Sequence, residues 1–134
     1  MGKPKALILC IIDDEFGLAT RKELLQAGGY EVLTARSGQK GLGLFLMQQI
    51  DAVVLDRRMN QDRVANQMKR LKPHVPILMV SAYGLPNNEP NSVDTFLCEN
   101  ESWSRLVSTL DQLLNSPFPL FVRSLQEWKE QQTQ

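Results

Sequence analysis

Three short apolar runs, each followed by polar side chains, constrain the fold of this chain more than any other feature. The runs and their polar ends are LILCII (residues 7–12) before Asp13 and Asp14, AVVL (residues 52–55) before Asp56, and PILMV (residues 76–80) before Ser81. Such runs are typical of strands buried on both faces of a parallel sheet. Because ligands bind at the carboxyl ends of these strands, the sequence predicts a site built from the four polar side chains.

Strand-like and helix-like patterns alternate along the rest of the chain. The predicted elements are a strand at 6–12, a helix at 15–27, a strand at 30–35, a helix capped by Ser37, a strand ending at Asp56, a helix closed by Lys72 and Pro73, a strand ending at Ser81, a strand at 93–98 and a helix from Trp103 to Leu114. This alternation predicts an α/β protein with a doubly wound five-stranded parallel sheet and helices on both faces. The proline-rich residues 84–92 predict a loop where a fourth helix is expected, so that helix is shortened or missing.

Apolar spacing predicts the buried face of each helix, and glycines predict one helix end. The predicted core contacts of the first helix are Leu18, Leu24 and Leu25. The spacing of Leu42, Phe45 and Leu46, and that of Val64, Met68 and Leu71, predicts a helix with one apolar face in each segment. Gly28 and Gly29 are expected to end the first helix. The strand at 30–35 carries polar residues, which predicts an edge position in the sheet.

Length and charge exclude several classes of protein. The chain has 134 residues, which predicts one domain over residues 5–115 and a helical tail over 116–134. Its 15 basic and 15 acidic side chains cancel, so no net field favours direct binding to nucleic acid or membrane. No apolar stretch is long enough to predict a membrane span, and Asp13 follows too early for a signal peptide. Cys10 and Cys98, both in predicted strands, suggest reduced core thiols and a cytoplasmic setting.

Five motifs give the chain a resemblance to a known family. They are IDDE (12–15), VLDRRM (54–59), KPHVPI (72–77), VSA (80–82) and VDTFL (93–97). From about residue 5 to residue 114 the chain resembles the receiver domain of bacterial two-component response regulators. The resemblance implies a flavodoxin-like receiver fold with strand order 2-1-3-4-5 and a role in phosphorelay signalling.

The same resemblance implies a role for each site residue. Asp56 would accept a phosphoryl group from a histidine of a partner kinase, Ser81 would hydrogen-bond that group, and Phe96 would be the switch aromatic. The implied ligands of Mg²⁺ (or Mn²⁺) are Asp14, Asp56 and the backbone carbonyl of Arg58, with Asp13 bound through water. The chemistry is consistent with these roles, because phosphoryl transfer depends on positioning and charge neutralisation. A hard divalent cation also relieves the repulsion among clustered carboxylates.

Three departures from the family pattern stand out. Glu99 occupies the position of the family's strand-five lysine, the loop after Asp56 is about three residues short, and residues 84–92 replace a helix. A charge at about 4 Å is worth about 4 kcal/mol at an effective dielectric of 20, so if Glu99 faces the site, the lysine's attraction to the phosphoryl oxygens becomes a comparable repulsion. Alternatively, Glu99 turns to solvent and the cation is supplied by Arg57, Arg58 or Arg63.

Two functions therefore compete. The first is a single-domain response regulator, not an enzyme, that works with a histidine kinase or phosphotransfer protein and an unidentified downstream protein. The second is a pseudo-receiver, a binding module without the phosphorylation cycle. A phosphatase-type hydrolase is disfavoured because Arg58 occupies the place of its acid–base aspartate. A homodimer, and a tail bound either to its own domain or to a partner, are left open. The lone histidine, His74, is expected to be a solvated loop residue.

Overall fold

The computed structural model describes residues 6–56, 62–81, 93–98 and 103–115. For Asp62, Ser81, Cys98, Trp103 and Ser104 it describes the backbone alone. Arg57, Arg58, Glu99, the proline-rich residues 84–92 and the tail lie outside the described residues, so the hypotheses about them stay predictions.

Five parallel strands and four helices make up the described part of the chain. In order they are β1 (Leu7–Ile11), α1 (Glu15–Ala27), β2 (Glu31–Ala35), α2 (Gly38–Met47), β3 (Ala52–Asp56), α3 (Asp62–Leu71), β4 (Ile77–Ser81), β5 (Thr95–Cys98) and α4 (Trp103–Leu114). The strands form one sheet in the order β2-β1-β3-β4-β5, and every pairing is parallel. The doubly wound fold and the edge position of β2 are confirmed. Four helices are consistent with a shortened helix between β4 and β5.

Local signals in the sequence explain where the first helices begin and end. The Ser37 hydroxyl accepts a hydrogen bond from Lys40 N at 3.2 Å and so caps α2, as predicted. Gly28 caps the end of α1, and Gly29 follows with a φ of 98°. That left-handed conformation favours glycine, which allows the chain to turn sharply into β2.

The sheet separates two apolar layers. On one side, which we call the α1/α4 face, buried residues of α1 and α4 pack against Cys10 and Val54. On the other, the α2/α3 face, buried residues of α2 and α3 pack against Leu9 and Val53. Successive strand residues point to opposite sides, so one strand supplies both layers. Within the described residues, no helix is long and apolar enough to cross a membrane.

Two apolar residues that mark the predicted faces of α2 and α3 are exposed. Leu46 is 53% exposed and Leu71 is 50% exposed, whereas the remaining predicted contacts are buried or partly buried. The buried residues that occupy those faces include two small ones, Gly41 in α2 and Ala65 in α3. A pattern that counts only large apolar residues misplaces the buried face when a small residue lets the helix backbone approach the sheet.

Candidate functional site

The parallel sheet brings the predicted site residues to one edge. Asp13 and Asp14 follow β1, Asp56 ends β3 and Ser81 ends β4, and these three strands are neighbours. The register pairs Asp56 with Val80, so Ser81 lies one residue further along the adjacent strand. The four predicted residues therefore meet at the carboxyl end of the sheet, where ligands bind in folds of this type.

Asp56 is a buried carboxylate, whereas Asp13 and Asp14 are exposed. The Asp56 side chain is only 3% exposed at the end of a strand that is buried throughout. Ala52 and Val54 belong to the α1/α4 face, and strand alternation puts Asp56 on the same side. A buried charge must be compensated by an opposite charge or by hydrogen bonds. This edge of the sheet is therefore built to hold a charged group at Asp56.

Asp14 has a second task, because its side chain caps α1. Its Oδ1 accepts a hydrogen bond from Phe16 N and its Oδ2 accepts one from Gly17 N, each at 3.2 Å. These bonds orient the carboxylate at the start of the helix. Each carboxylate oxygen has more than one acceptor site, so capping leaves capacity for a cation.

The oxygen donors at this edge fit a hard divalent cation. Carboxylates are the side chains that Mg²⁺ selects, and three of them lie at this edge of the sheet. Nevertheless, among the described residues no three Asp, Glu, His or Cys side chains lie close enough to form a metal-binding group. The structure thus places Asp13, Asp14 and Asp56 at one edge without gathering them into a ready cluster.

The structure also reveals two buried residues that the sequence hypotheses did not include in the site. Arg21 in α1 is 2% exposed, and Cys10 in β1 is a buried free thiol. Burial raises the pKa of the Cys10 thiol to about 12, with Arg21 lowering it and Asp56 raising it further. Arg21 was missed because charged side chains on a helix are expected at the surface. No signal in the sequence alone marks its burial, apart from its spacing between Leu18 and Leu25.

Three other residues considered in the sequence analysis, Phe96, Arg63 and His74, lie on β5, on α3 and between α3 and β4. Phe96 in β5 is partly buried and packs on the α2/α3 face, paired in register with Met79. Arg63, one proposed cation, is exposed in α3. His74 is exposed between α3 and β4, as expected for a solvated residue. It lines a cavity of about 400 Å³ that also includes Asp51, which precedes β3 and so lies at the opposite edge of the sheet.

A family comparison decides what kind of domain this is. A model of the response regulator receiver domain matches residues 8–94, which is more than half of the chain and includes all four site residues. The chain belongs to the response regulator receiver domain family. Its relatives include the transcriptional regulatory protein GlrR of Escherichia coli, 28% identical over 136 residues. That match covers 96% of this chain but only 30% of GlrR, so the chain spans less than a third of that relative.

Other receiver proteins match over most of their own length. DivK of Brucella ovis, a polar-differentiation response regulator, is 22% identical over 116 residues, or 94% of its chain and 80% of this one. A receiver domain protein from Clostridium thermocellum is 27% identical with a TM-score of 0.76, covering 82% of this chain and 94% of that one. TrrA of Thermotoga maritima, solved in complex with Mg(2+)-BeF, is 26% identical with the same TM-score, covering 81% and 99%.

Proposed function

We propose that this receiver domain is a phosphoacceptor in a two-component phosphorelay, with Asp56 as the residue that is phosphorylated. The observation that carries the proposal is the buried Asp56 carboxylate at the carboxyl end of the central strand. Asp13 and Asp14 follow the neighbouring strand, which supplies further oxygen donors at the same edge. The donor is a phosphohistidine of a kinase or phosphotransfer protein, and the phospho-form acts on a downstream protein.

The transfer itself needs little acid–base help. An Asp56 oxygen attacks phosphorus, the bond between phosphorus and the leaving atom of the donor breaks, and the leaving group departs with that electron pair. Asp13, Asp14, Asp56 and the Arg58 carbonyl would hold Mg²⁺, which neutralises charge on the phosphoryl oxygens when bound. Binding of Mg(2+)-BeF by TrrA supports this choice of cation. In this scheme Ser81 hydrogen-bonds the phosphoryl group. Phe96, the switch aromatic, changes conformation in the phospho-form and so alters the α2/α3 face on which it packs.

Phosphorylation by a small donor tests the proposal directly. Wild type is incubated with Mg²⁺ and acetyl phosphate, and intact mass is followed over time. We expect addition of one phosphoryl group to wild type and none to Asp56→Asn. Asp51→Asn is the matched control, because Asp51 is an exposed aspartate just before the other end of the same strand. Equal labelling of wild type and Asp56→Asn, or no labelling of wild type, would contradict the proposal.

A pseudo-receiver is the second candidate, and Glu99 is the observation that favours it. A carboxylate in the place of the family's lysine would repel the phosphoryl group. In that case wild type does not label, whereas Glu99→Lys does. Labelling of wild type at a rate that Glu99→Lys leaves unchanged would exclude a repulsive role for Glu99.

A further inference from the structure

Arg21 occupies a position that a helix of this fold would be expected to fill with an apolar residue. The buried residues of α1 are Leu18, Arg21 and Leu25, spaced three and four apart along one side of the helix. Leu18 and Leu25 both belong to the apolar layer of the α1/α4 face. The Arg21 side chain, 2% exposed, therefore enters the core from the same side of the sheet.

Asp56 lies on that same side. Ala52 and Val54, the residues four and two before it in β3, are buried in the α1/α4 face, and side chains alternate along a strand. In the described part of the chain, Arg21 and Asp56 are the two buried charged residues, and their charges are opposite. Each is expensive to bury alone, so an opposite charge within the same layer stabilises both.

Cys10 links the two positions. It lies in the α1/α4 face and is paired in register with Val54, two residues before Asp56. Both charges act on its thiol, Arg21 lowering the pKa and Asp56 raising it. A buried thiol that is influenced by both charges places Arg21 and Asp56 in the same part of the α1/α4 face.

We propose that the Arg21 guanidinium is the cation of the Asp56 site. It forms an ion pair with the Asp56 carboxylate in the resting protein and stabilises the charge that phosphoryl transfer brings to this edge. The second part rests on the function proposed above. With acetyl phosphate, an Asp56 oxygen attacks phosphorus, the bond between phosphorus and the bridging oxygen breaks, and acetate leaves with the electron pair. The adduct adds negative charge beside the carboxylates, and a buried donor is effective there because water does not compete for it.

The ion pair is tested first by thermal stability, without phosphodonor or divalent metal. The variants are Arg21→Met, Asp56→Asn, the double variant and Lys22→Met, which removes an exposed positive charge from the same helix. We expect each single change in the pair to lower Tm by about 5 °C or more, since it leaves a buried charge uncompensated. The double variant should lose clearly less than the sum, and Lys22→Met should change little.

Additive losses, or an unchanged or raised Tm for Asp56→Asn, would overturn the ion pair. If Arg21→Met fails to fold, the Tm of Asp56→Asn alone tests the ion pair. Loss of a cation-paired carboxylate lowers Tm, whereas loss of one carboxylate from an acidic edge without a cation raises it.

The role in transfer is tested by the initial rate of labelling with Mg²⁺ and acetyl phosphate. We expect Arg21→Met to be slower than wild type by at least about tenfold, Arg21→Lys to recover most of the rate, and Lys22→Met to match wild type. Equal rates for Arg21→Met and wild type would overturn the role. If wild type takes up no phosphoryl group, the proposed function fails and Arg21's role in transfer fails with it. The Tm values measured without phosphodonor then test the ion pair separately.

Discussion

Tyr30 shows how a single residue makes stability depend on pH. It is buried just before β2, and its hydroxyl donates a hydrogen bond to Oδ1 of Asp111 in α4. Burial raises the pKa of Tyr30 above its ordinary value of about 10, and the hydrogen bond and charge of Asp111 raise it further. The folded protein therefore keeps the proton at a pH where the unfolded chain has lost it.

We expect this contribution to stability to be complete below about pH 10 and to be lost as the pH rises above it. Urea unfolding of wild type and Tyr30→Phe from pH 7 to pH 11 measures the effect. The variant should be about 1 kcal/mol less stable at pH 7, because the Asp111 carboxylate loses a donor. The difference should shrink above pH 10, and a constant difference across the range would contradict the assignment.

At the level of the helix, Gly41 sets how closely α2 approaches the sheet. A Cβ at Gly41 would lie 2.2 Å from Ile11 Cδ1 and 2.7 Å from Ile11 Cγ1. Ile11 is fully buried, so it cannot move away without disturbing the core. We expect Gly41→Ala to destabilise the fold by about 1–3 kcal/mol through overpacking, measured by urea unfolding.

Gly43, in the same helix, is the matched control. A Cβ there meets nothing within 4 Å, and alanine is the better helix former by about 1 kcal/mol. Gly43→Ala should therefore raise stability while Gly41→Ala lowers it. The same sign for both variants would show that helix propensity, not close packing, governs α2.

Asp94 attaches the start of β5 to the rest of the sheet. Its Oδ2 accepts hydrogen bonds from Ile77 N at 2.6 Å and from Lys69 Nζ at 2.7 Å, while its own N–H donates to Ile77 O. Asp94→Ala leaves the Ile77 amide without this acceptor, and we expect a loss of about 2 kcal/mol in urea unfolding. Asp94→Asn keeps an oxygen acceptor and removes the charge, so it should lose less. Equal losses would assign the whole effect to the ion pair with Lys69.

The elements differ in how well the sequence predicts them, and the reason is physical. Strands such as β3 are predictable because burial on both faces leaves a continuous apolar run with a polar end. The exposure of Leu46 was not predictable, since it depends on a close helix–sheet approach that only the packed structure defines. The strand ends alone predict the positions of Asp13, Asp14, Asp56 and Ser81. The strand ends do not predict the burial of Arg21, because burying its charge depends on tertiary contacts.

For the whole domain, we expect divalent metal to couple to stability. Mg²⁺ bound at the acidic edge stabilises only the folded state, by about 2.7 kcal/mol at a hundredfold excess over Kd. The midpoint of urea unfolding in Mg²⁺, compared with that in EDTA, measures it, and Asp14→Asn should reduce the gain. An unchanged midpoint for wild type would show that the carboxylates at this edge do not bind the ion.

The strand order also determines which strand edge is unpaired while the chain is being synthesised. β1 is synthesised first but lies between β2 and β3. Its pairing with β3, which begins at Ile8 and Ala52, cannot form until β3 has been synthesised. At ~5–20 residues per second, one edge of β1 stays open for several seconds during translation. An open apolar edge is a template for pairing with another chain. A translational pause within the α3 codons, when β1 has emerged and β3 is still inside the ribosome, should therefore lower the soluble yield, whereas the same pause after the α4 codons, once β3 has emerged, should not.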